Sequence, residues 1–457
     1  MNRPIDTYKY FFFIGIGGIG MSALARFFNL KKAIVSGFDR ERSELTAKLE
    51  AEGIVITYSD AINTLPMLRI GTPADTLVVY TPAVPASNQL MKWFRERNFT
   101  LMKRAQVLGL ITKSSRSIAV AGTHGKTTTT ALVTHILKHN NIDISAFIGG
   151  ISANYNTNFL YGSSDTVVIE ADEFDRSFLR LEPSLAVITS TDPDHLDIYK
   201  DQEGVREAFL EFASISKKFG KLLTKINLPV SGDFTYGLNK NAHYHADDIQ
   251  IQNGQFHYTL SFPDRERVTT SCQVPGIHNV ENSVAAAGLC HLYGLTPNQI
   301  SEGIKTFKGV KRRFEIILQL PDLTFIDDYA HHPAELEALL KSARLLYPDR
   351  RITIIFQPHL YSRTRDFHQE FAQSLSLADR VVLLDIYPAR EEKIEGVTEK
   401  LIYSHLTCTE KHIVFLGDLL DFIKKIELQK DVIITAGAGN ISDAVEGIKN
   451  ILYEKKN

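Results

Sequence analysis

Short apolar runs alternate with helical patterns along most of the chain, which predicts an α/β fold with parallel sheets. The first block opens with an apolar run and a glycine-rich turn, and a helical pattern then continues to about Leu30. Its predicted strands are Tyr10–Ile14, Ile34–Phe38, Ile54–Tyr58 and Leu77–Tyr80. The block closes near residues 103–110, before the polar run Lys113–Ser117.

Two further blocks repeat this alternation. The predicted strands of the second are Ile118–Ala121, Thr166–Ile169 and Leu185–Ser190, and a predicted helix covers about 279–293. Between 221 and 275 the pattern is short and polar, as in QFHYTL at 255–260, which predicts antiparallel strands. The basic residues Lys311, Arg312 and Arg313 mark a junction. The predicted strands of the third block are Thr324–Asp327, Ile352–Phe356, Val381–Asp385 and Val432–Thr435.

The composition is that of a globular protein. The chain has 457 residues, enough for about three domains, with 44% hydrophobic and 23% charged residues. Its 51 basic and 53 acidic residues give a net charge of −2, so charge provides no reason to expect a nucleic acid as partner. Cys272, Cys290 and Cys408 are far apart in sequence, which disfavours a disulfide scaffold or a cysteine zinc site.

The uncharged segment Tyr10–Ala25 imitates a signal peptide. It is too short for a typical membrane span, and its glycines would weaken an isolated helix. A strand that enters a glycine turn accounts for it better. We therefore expect a cytoplasmic protein that is not processed and has no membrane partner.

The first glycine loop, Gly15-x-Gly17-x-x-Gly20, follows a predicted strand, opens a helix, and is followed by Asp39 at the end of the next strand. This is the dinucleotide fingerprint in its expected context, and amides at the helix start would bind a diphosphate. The alternative is a tight turn without a ligand. NAD, FAD and a nucleotide sugar present the same diphosphate, so the loop leaves the ligand open.

A second loop, GTHGKT at 122–127, also lies between a predicted strand and a predicted helix. Its backbone amides can surround nucleotide phosphates, Lys126 can reach the β- and γ-phosphates, and the Thr127 hydroxyl can bind Mg²⁺. Val120 stands where the generic phosphate-loop pattern has glycine, so that pattern is not literally met. The alternative interpretation is a glycine turn with a solvated lysine.

Carboxylates follow the next two predicted strands of the second block. They are Glu170, Asp172, Glu173 and Asp175 after the first, and Asp192, Asp194 and Asp197, together with His195, after the second. The ends of parallel strands in one domain lie side by side, and Mg²⁺ takes carboxylate oxygens. The sequence therefore predicts magnesium ions beside the phosphate loop, although a histidine is a softer ligand than Mg²⁺ usually takes.

Longer motifs resemble those of the Mur ligases of peptidoglycan synthesis. They are FFFIGIGGIGMSALA, AGTHGKTTTT, EADEFDRSFL, TSTDPDHLD, PGIHNVENSVAAAG, GVKRRFE, DDYAHHPAE and FQPHLYSRTRDF, with GAGN near the end of the chain. They occur in family order from residue 11 to residue 367. As a set these motifs are specific, although one or two alone would not be.

The resemblance implies an α/β protein of three domains and an ATP-dependent ligase. The domains would be an N-terminal Rossmann-like UDP-sugar domain (1–110), a central P-loop-type ATPase domain (111–313) and a C-terminal Rossmann-like domain for the amino acid and for closure (314–457). KRRFE and PHLYSRTRDF resemble the branch that joins L-alanine to the lactyl carboxylate of UDP-N-acetylmuramate. That reaction passes through an acyl phosphate, and the enzyme would be a monomer or a homodimer.

The resemblance also implies the residues that bind ATP and two Mg²⁺ ions. The phosphates, the adenine and the ribose would be contacted by Gly122, Thr123, His124, Gly125, Lys126, Thr127, Thr128, His278, Asn279, Asn282, Arg312, Arg313 and Asp328. The metal ligands would be Thr127, Glu170 and His195. Without the family, His278 and Asn279 would be an ordinary capped helix start, and the basic run at 311–313 a solvated surface.

The same resemblance assigns residues to the other substrates. UDP-sugar contacts would come from Gly15, Gly17, Gly18, Gly20, Asp39 and Thr81. Tyr329, His359 and Arg363 would contact the muramoyl group and the alanine, and the catalytic set would be Lys126, Glu170, His195, His331, His359 and Arg363. The residues leave open whether His331, His359 or a carboxylate accepts the proton of the amine.

Three alternatives remain. The first glycine loop alone would suit an NAD-dependent oxidoreductase, but that leaves the second loop and the carboxylates unexplained. A second alternative is a nucleotide-dependent binding module without catalysis. A recycling ligase that attaches a murein tripeptide to the same UDP-sugar shares the AGTHGKTTT and HHP motifs.

Overall fold

The computed structural model describes residues 4–81, 84–85, 87–192, 199, 202–252, 255–389 and 391–456. The chain forms two compact units. The first comprises Met1–Ile249, His257–Cys272 and Glu281–Lys308, and the second comprises Gln250–Phe256, Gln273–Val280 and Gly309–Asn457. Three sheets, most of whose strands run parallel, confirm the α/β fold class.

A five-stranded parallel sheet begins the first unit. Its strands are β1 (Tyr10–Ile14), β2 (Ile34–Phe38), β3 (Val55–Thr57), β4 (Thr76–Tyr80) and β5 (Thr100–Lys103), in the spatial order β3-β2-β1-β4-β5. The bounds of β1 and β2 are those predicted. The first glycine loop follows β1 and turns at Gly15, whose φ is +85°. Its amides therefore lie at the carboxyl edge of the central strand, where parallel sheets bind ligands.

A second sheet carries the phosphate loop, and all of its strands except parts of β13 and β14 belong to the same unit. Among the described residues it has ten strands, in the order β15-β14-β13-β12-β11-β10-β6-β9-β7-β8. They are β6 (Arg116–Ala121), β7 (Ser145–Ser152), β8 (Thr157–Leu160), β9 (Thr166–Glu170), β10 (Leu185–Ile188), β11 (Lys221–Lys225), β12 (Phe234–Gly237), β13 (Tyr244–Gln252), β14 (Gln255–Ser261) and β15 (Arg267–Cys272). β6 lies between β9 and β10 and is parallel to both, so the loop after β6 is flanked by both carboxylate-bearing strand ends.

The antiparallel prediction for residues 221–275 is wrong for part of that region. β11, β12 and β13 pair parallel, and the β12–β13 pairing covers only two residue pairs. Short strands with one exposed face alternate polar and apolar residues whichever way they run, because alternation reports exposure and not direction.

The two sheets of the first unit are joined by a buried contact between their helices and strands. The Phe27 ring packs against Phe147 and Phe159, at 5.5 Å and 6.2 Å between ring centroids. Arg26 beside it donates to Asn158 Oδ1 at 2.6 Å and to the carboxylate of Glu52. The apolar contact and the satisfied guanidinium together fix the glycine turn relative to the second sheet.

The second unit contains a six-stranded sheet among the described residues, in the order β16-β17-β21-β18-β19-β20. Its strands are β16 (Glu315–Leu320), β17 (Leu323–Asp328), β18 (Arg351–Phe356), β19 (Arg380–Leu383), β20 (Glu410–Ile413) and β21 (Asp431–Ala436). β16 is antiparallel to β17, and the other pairs are parallel. β17 and β21 are buried along their whole length, so the ends of both strands deliver polar groups from a rigid core.

Helices alternate with these strands along the chain, and the last helix follows β21. They are α1 (Ile19–Leu30), α2 (Glu44–Ala51), α3 (Gln89–Glu96), α4 (Arg104–Lys113), α5 (Lys126–His139), α6 (Gln202–Phe219), α7 (Ile277–Tyr293), α8 (Pro297–Lys305), α9 (Pro333–Leu346), α10 (Tyr361–Leu375), α11 (Lys400–Tyr403), α12 (Leu419–Lys425) and α13 (Val445–Glu454). Within the described ranges, no helix is both long enough and apolar enough to cross a bilayer.

Candidate active site

The phosphate loop between β6 and α5 is held by the end of β10. The Ser190 hydroxyl accepts from the amide of His124 at 2.7 Å and lies 2.8 Å from the Thr123 hydroxyl. Gly122 has a φ of +131°, and a Cβ there would lie 2.1 Å from Thr189 Oγ1. Gly125 caps α5 with a φ of +80°. Both glycines are required by the geometry, and the loop is held ready to present backbone amides.

Three predicted residues meet directly after this loop. The Lys126 ammonium donates to Gly122 O at 2.6 Å and to the Glu173 carboxylate at 2.9 Å. The Thr127 hydroxyl donates to Glu170 Oε1 at 3.1 Å. The structure therefore places a lysine, a hydroxyl and a carboxylate together at the adjacent ends of β6 and β9.

Glu170 has the environment of a cation ligand. Its Oε2 accepts from the amide of Gly149 at 2.9 Å, and a Cβ at Gly149 would lie 2.2 Å from the carboxylate. Burial raises the pKa of Glu170 and the charge of Asp172 raises it further, while Lys126 opposes them. A hard cation would stabilise this carboxylate, and the oxygen ligands fit Mg²⁺. His195, the other predicted ligand, lies outside the described residues, as do Asp194 and Asp197.

Four further residues predicted to bind ATP, Thr128, His278, Asn279 and Asn282, lie on α5 and α7. Thr128 is buried in the first turn of α5. Asn282 reaches the phosphate loop, since a Cβ at Gly125 would lie 2.6 Å from its Oδ1. In the second unit, Asn279 donates to Pro275 O at 2.6 Å, which is the helix-start role considered above. Burial, with a smaller contribution from Arg313, lowers the pKa of His278 to about 4, so its ring is neutral at pH 7.

A recess of about 380 Å³ lies beside this helix start in the second unit. It is lined by Ile277, His278, Ala334, Glu337, Ala338, Lys341, Ser342 and Leu345. Most of this lining is apolar, and Glu337 and Lys341 are its charged members.

The first glycine turn contacts both predicted and unpredicted residues. The Asp39 carboxylate accepts from the amide of Gly17 at 2.6 Å, so it lies in the turn and already occupies one donor. A Cβ at Gly15 would lie 2.9 Å from the Thr81 methyl group, and one at Gly20 would lie 2.0 Å from Arg104 Nη1. Gly15 is needed for its φ of +85°, whereas at Gly20 the flexible end of the Arg104 side chain would have to move aside. Gly18 caps the start of α1.

In the second unit, Tyr329, His331 and His359 lie side by side. The rings of His331 and Tyr329 are 5.3 Å apart, and those of His331 and His359 are 6.0 Å apart. His331 Nδ1 lies 2.9 Å from Tyr329 O and 3.5 Å from Glu335. Burial, with help from Arg363 and Arg313, lowers the pKa of His331 although Glu335 raises it. A neutral imidazole at pH 7 can accept a proton.

Arg312 makes internal contacts in this structure. Its guanidinium donates to Asp327 Oδ2 at 3.0 Å and to Gly437 O at 2.6 Å, the latter in the GAGN segment. Arg313 lies 3.7 Å from Glu335. The phosphate contacts predicted for both arginines remain predictions.

Asp328, at the end of β17, is buried and organises the chain around it. It accepts from the amide of Phe314 at 2.6 Å and from that of Ala330 at 2.7 Å. Burial raises the pKa of Asp328 to about 6, against the opposing charge of Arg313. Its predicted contact with the ribose of ATP remains untested.

Arg363 lies in the first turn of α10. Its Nη1 is buried and has no hydrogen-bond partner among the described residues. Leu360, three residues earlier, has a φ of +73°, a conformation that is strained for a leucine. The Leu360 amide donates to Tyr387 O at 2.9 Å, which holds this strained backbone.

Four residues have partners that their positions in the sequence did not predict. Glu173 was interpreted only as one of the strand-end carboxylates, and it pairs with Lys126 at 2.8 Å. Arg104 pairs with Asp172 at 2.9 Å. Asp327 and Glu335 partner Arg312 and His331. The pair of His331 and Glu335 could have been predicted from its (i, i+4) spacing at a helix start. The other three pairs join positions that are 15 to 68 residues apart in sequence, and no local pattern predicts them.

The site defines a class of protein. A glycine loop opens a helix at the end of a parallel strand, and a lysine, a hydroxyl and a carboxylate lie beside it. These features are those of a nucleotide-binding α/β protein. Comparison with known families narrows this class. The chain matches the Mur ligase family catalytic domain over 11–116, the Mur ligase middle domain over 120–290, and the Mur ligase glutamate ligase domain over 312–439. The chain belongs to the Mur ligase family.

Its relatives within the family match over nearly the whole length. A UDP-N-acetylmuramate–L-alanine ligase of Christiangramia forsetii is 43% identical over 99% of this chain and 100% of its own. One of Porphyromonas gingivalis is 47% identical over 97% and 99%. The crystal structure of the UDP-N-acetylmuramate–alanine ligase of Thermotoga maritima is 29% identical, covers 98% of this chain and 99% of its own, and has a TM-score of 0.82. A murein peptide ligase of Psychrobacter arcticus shares the fold, with 23% identity, a TM-score of 0.69, and coverage of 97% and 98%.

Proposed function

We propose that this chain joins L-alanine to the lactyl carboxylate of UDP-N-acetylmuramate, with cleavage of ATP to ADP and phosphate, in the cytoplasm. The observation that carries the proposal is the cluster of Lys126, Thr127 and Glu170 at the ends of β6 and β9. Relatives that bear this activity in their names match the chain from end to end, which supports alanine as the amino acid.

The reaction needs ATP because a carboxylate repels an amine and has a poor leaving group. A lactyl carboxylate oxygen attacks the γ-phosphorus, and the bond between that phosphorus and ADP breaks. The amine of alanine then attacks the acyl carbon, phosphate leaves, and the amine proton passes to a base. Lys126 would stabilise the negative charge on the transferred phosphoryl group, an electrostatic task that its fixed position suits.

Magnesium would be held by Thr127 and Glu170, whose oxygens already face each other. When bound, it neutralises charge on the phosphates. A second ion on His195 is part of the proposal. The chain itself contributes a fixed loop. Its turns at Gly122 and Gly125 hold the start of α5, and with it Thr127, in place.

The UDP-sugar is assigned to the first glycine turn. The amides at the start of α1 would bind its diphosphate, while the Asp39 carboxylate keeps the amide of Gly17 occupied. The proposed domain bounds at 110/111 and 313/314 and the monomeric or homodimeric state belong to the same proposal.

His331 is the proposed acceptor of the amine proton, since burial and Arg363 keep its pKa below the ordinary value. We expect kcat at saturating alanine to fall as pH drops through that lowered pKa. In Glu335→Gln the carboxylate that favours the imidazolium is gone, so the acid limb should move down by about one pH unit. A pH profile of kcat measures this. An unmoved limb in Glu335→Gln, or a retained limb in His331→Asn, would assign the proton to another group.

If the enzyme selects alanine by size, it should also use amino acids of similar size at a lower rate. Glycine and serine should turn over with kcat/KM lower by about 10- to 200-fold, because one methyl-sized difference is worth about 1–3 kcal/mol. Amide formation followed by mass spectrometry measures this. Complete absence of both products at high amino-acid concentration would contradict a pocket that selects by size alone.

The decisive assay is phosphate release from ATP with UDP-N-acetylmuramate and either free L-alanine or the murein tripeptide. We expect release with alanine, together with a new amide. Faster turnover of the tripeptide would favour the recycling ligase. If neither ADP nor an amide formed with either acceptor, the result would favour the binding module without catalysis. A change in NADH fluorescence on mixing would favour the oxidoreductase.

A further inference from the structure

The ammonium group of Lys126 is fully engaged within the chain. It donates to Gly122 O at 2.6 Å and to Glu173 Oε1 at 2.9 Å, and Thr123 O lies 3.3 Å away. An ammonium has three N–H donors, so these acceptors use all of them. The group that should meet nucleotide phosphates is therefore already paired.

Glu173 is built into the structure and is not a mobile surface side chain. It is 1% exposed and follows β9 by three residues. Its carbonyl accepts from the Tyr199 hydroxyl and from the amide of Arg176, the latter at 2.9 Å. Removing one partner of a buried ion pair leaves an uncompensated charge and is costly. The Lys126–Glu173 pair is therefore expected to stabilise the protein without nucleotide.

The charge around Lys126 is strongly negative. Burial lowers the pKa of its ammonium, but the carboxylates of Glu173, Asp172 and Glu170 together raise it above the ordinary lysine value. The lysine is therefore a cation at neutral pH. Phosphates that approach it meet these carboxylates as well, and like charges repel in a site of low dielectric.

We propose that Glu173 is the resting counter-ion of Lys126, and that the β- and γ-phosphates of the nucleotide take its place, so that nucleotide binding breaks the Lys126–Glu173 pair. This inference rests on the proposed function, since it needs a nucleotide at the loop. Glu173 acts through Lys126 and is a positioning residue. It keeps the loop and its lysine ordered before the nucleotide binds, at the expense of affinity.

If phosphates displace Glu173, removing the charge of Glu173 strengthens nucleotide binding. Glu173→Gln removes the charge but keeps the shape and a hydrogen-bond acceptor. The free protein loses its ion pair, whereas the nucleotide complex keeps Lys126 on phosphate. We therefore expect the variant to bind nucleotide about tenfold more tightly, a coupling of ordinary size. Its melting temperature without ligand should fall, and the rise on adding nucleotide should be larger than in the wild type.

The experiment compares the wild type, Glu173→Gln and the matched control Asp172→Asn in the full chain. Asp172 is the adjacent carboxylate, and it pairs with Arg104 at 2.9 Å. The control removes the same charge but leaves the Lys126–Glu173 pair. Calorimetry gives the affinities for ADP and for β,γ-imido-ATP, with Mg²⁺ and with EDTA, and thermal unfolding is followed with and without each ligand.

The expected result is tighter binding in Glu173→Gln under both metal conditions, with a clearly smaller change in Asp172→Asn. Unchanged affinity with an equal loss of melting temperature in the free and bound forms would reduce Glu173 to a structural residue and overturn the inference. Weaker binding only in the presence of Mg²⁺ would make it a metal ligand, which also overturns the inference. If the wild type bound neither nucleotide, the proposed function would fail instead.

A second variant covers the case in which Glu173→Gln does not fold. Glu173→Asp keeps the charge and withdraws the carboxylate by one methylene, so the pair is weakened and not deleted. We expect its nucleotide affinity to exceed that of the wild type by a smaller factor. Affinity equal to that of the wild type would contradict the displacement.

Discussion

Lys126→Ala is expected to lower kcat for amide formation by about 10³-fold, because it removes a fixed cation from the phosphoryl group being transferred. The ammonium lies between the phosphate loop and the carboxylates after β9. No other described lysine shares that position at the start of α5. Phosphate release and amide product, measured together, should fall in parallel, since both depend on the same acyl phosphate.

The control for this variant is Lys138→Ala, in the last turn of the same helix. It should keep nearly wild-type kcat, because the substitution lies at the other end of α5. Lys126→Ala also leaves Glu173 buried without its ammonium partner, so the free protein should lose stability. The double variant Lys126→Met, Glu173→Gln removes both charges and should recover stability without recovering kcat. Amide formation by Lys126→Ala at more than one tenth of the wild-type rate would contradict the assigned role.

The strands and loops of the fold could be predicted because they depend on local patterns. β1 and β2, for example, have the predicted bounds. The glycine loops were visible because a sharp turn before a helix requires glycine at fixed spacing. Strand direction at 221–237 was not visible, because polar alternation describes exposure and says nothing of the neighbouring strand.

The partners of the charged groups could not be predicted from local pattern. Asp39 has the spacing of a ribose ligand, yet its carboxylate accepts from Gly17. Arg312 belongs to a basic run that reads as a surface or a phosphate contact, yet it reaches a carbonyl 125 residues away. Such pairs depend on which strand ends are adjacent. The KRR motif predicts that Arg312 contacts phosphate. Its contacts in the structure predict instead that it stabilises the second unit.

Arg312→Ala is expected to lower the free energy of unfolding by about 3–5 kcal/mol, because it leaves a buried carboxylate without its cation. Asp327 is 3% exposed at its side chain and lies 3.0 Å from Arg312 Nε. Burial already raises the pKa of Asp327 and Arg312 opposes that rise, so losing the guanidinium makes the ionised form still less favourable. The guanidinium also satisfies Gly437 O, which then loses a donor.

Arg313→Ala is the matched control, since it removes the same charge from the adjacent position. Arg313 lies 3.7 Å from Glu335, and its side chain is 33% exposed, so its ion pair should contribute no more than about 1 kcal/mol. Denaturant unfolding of the full chain compares the two variants, and KM for ATP is measured on the same preparations. A large loss of stability in Arg312→Ala alone supports a structural role. Loss of the phosphate contact suggested by the KRR motif would instead raise KM for ATP and leave the unfolding midpoint near that of the wild type. Equal midpoints in both variants would mean that the contacts of Arg312 with Asp327 and Gly437 do not stabilise the second unit.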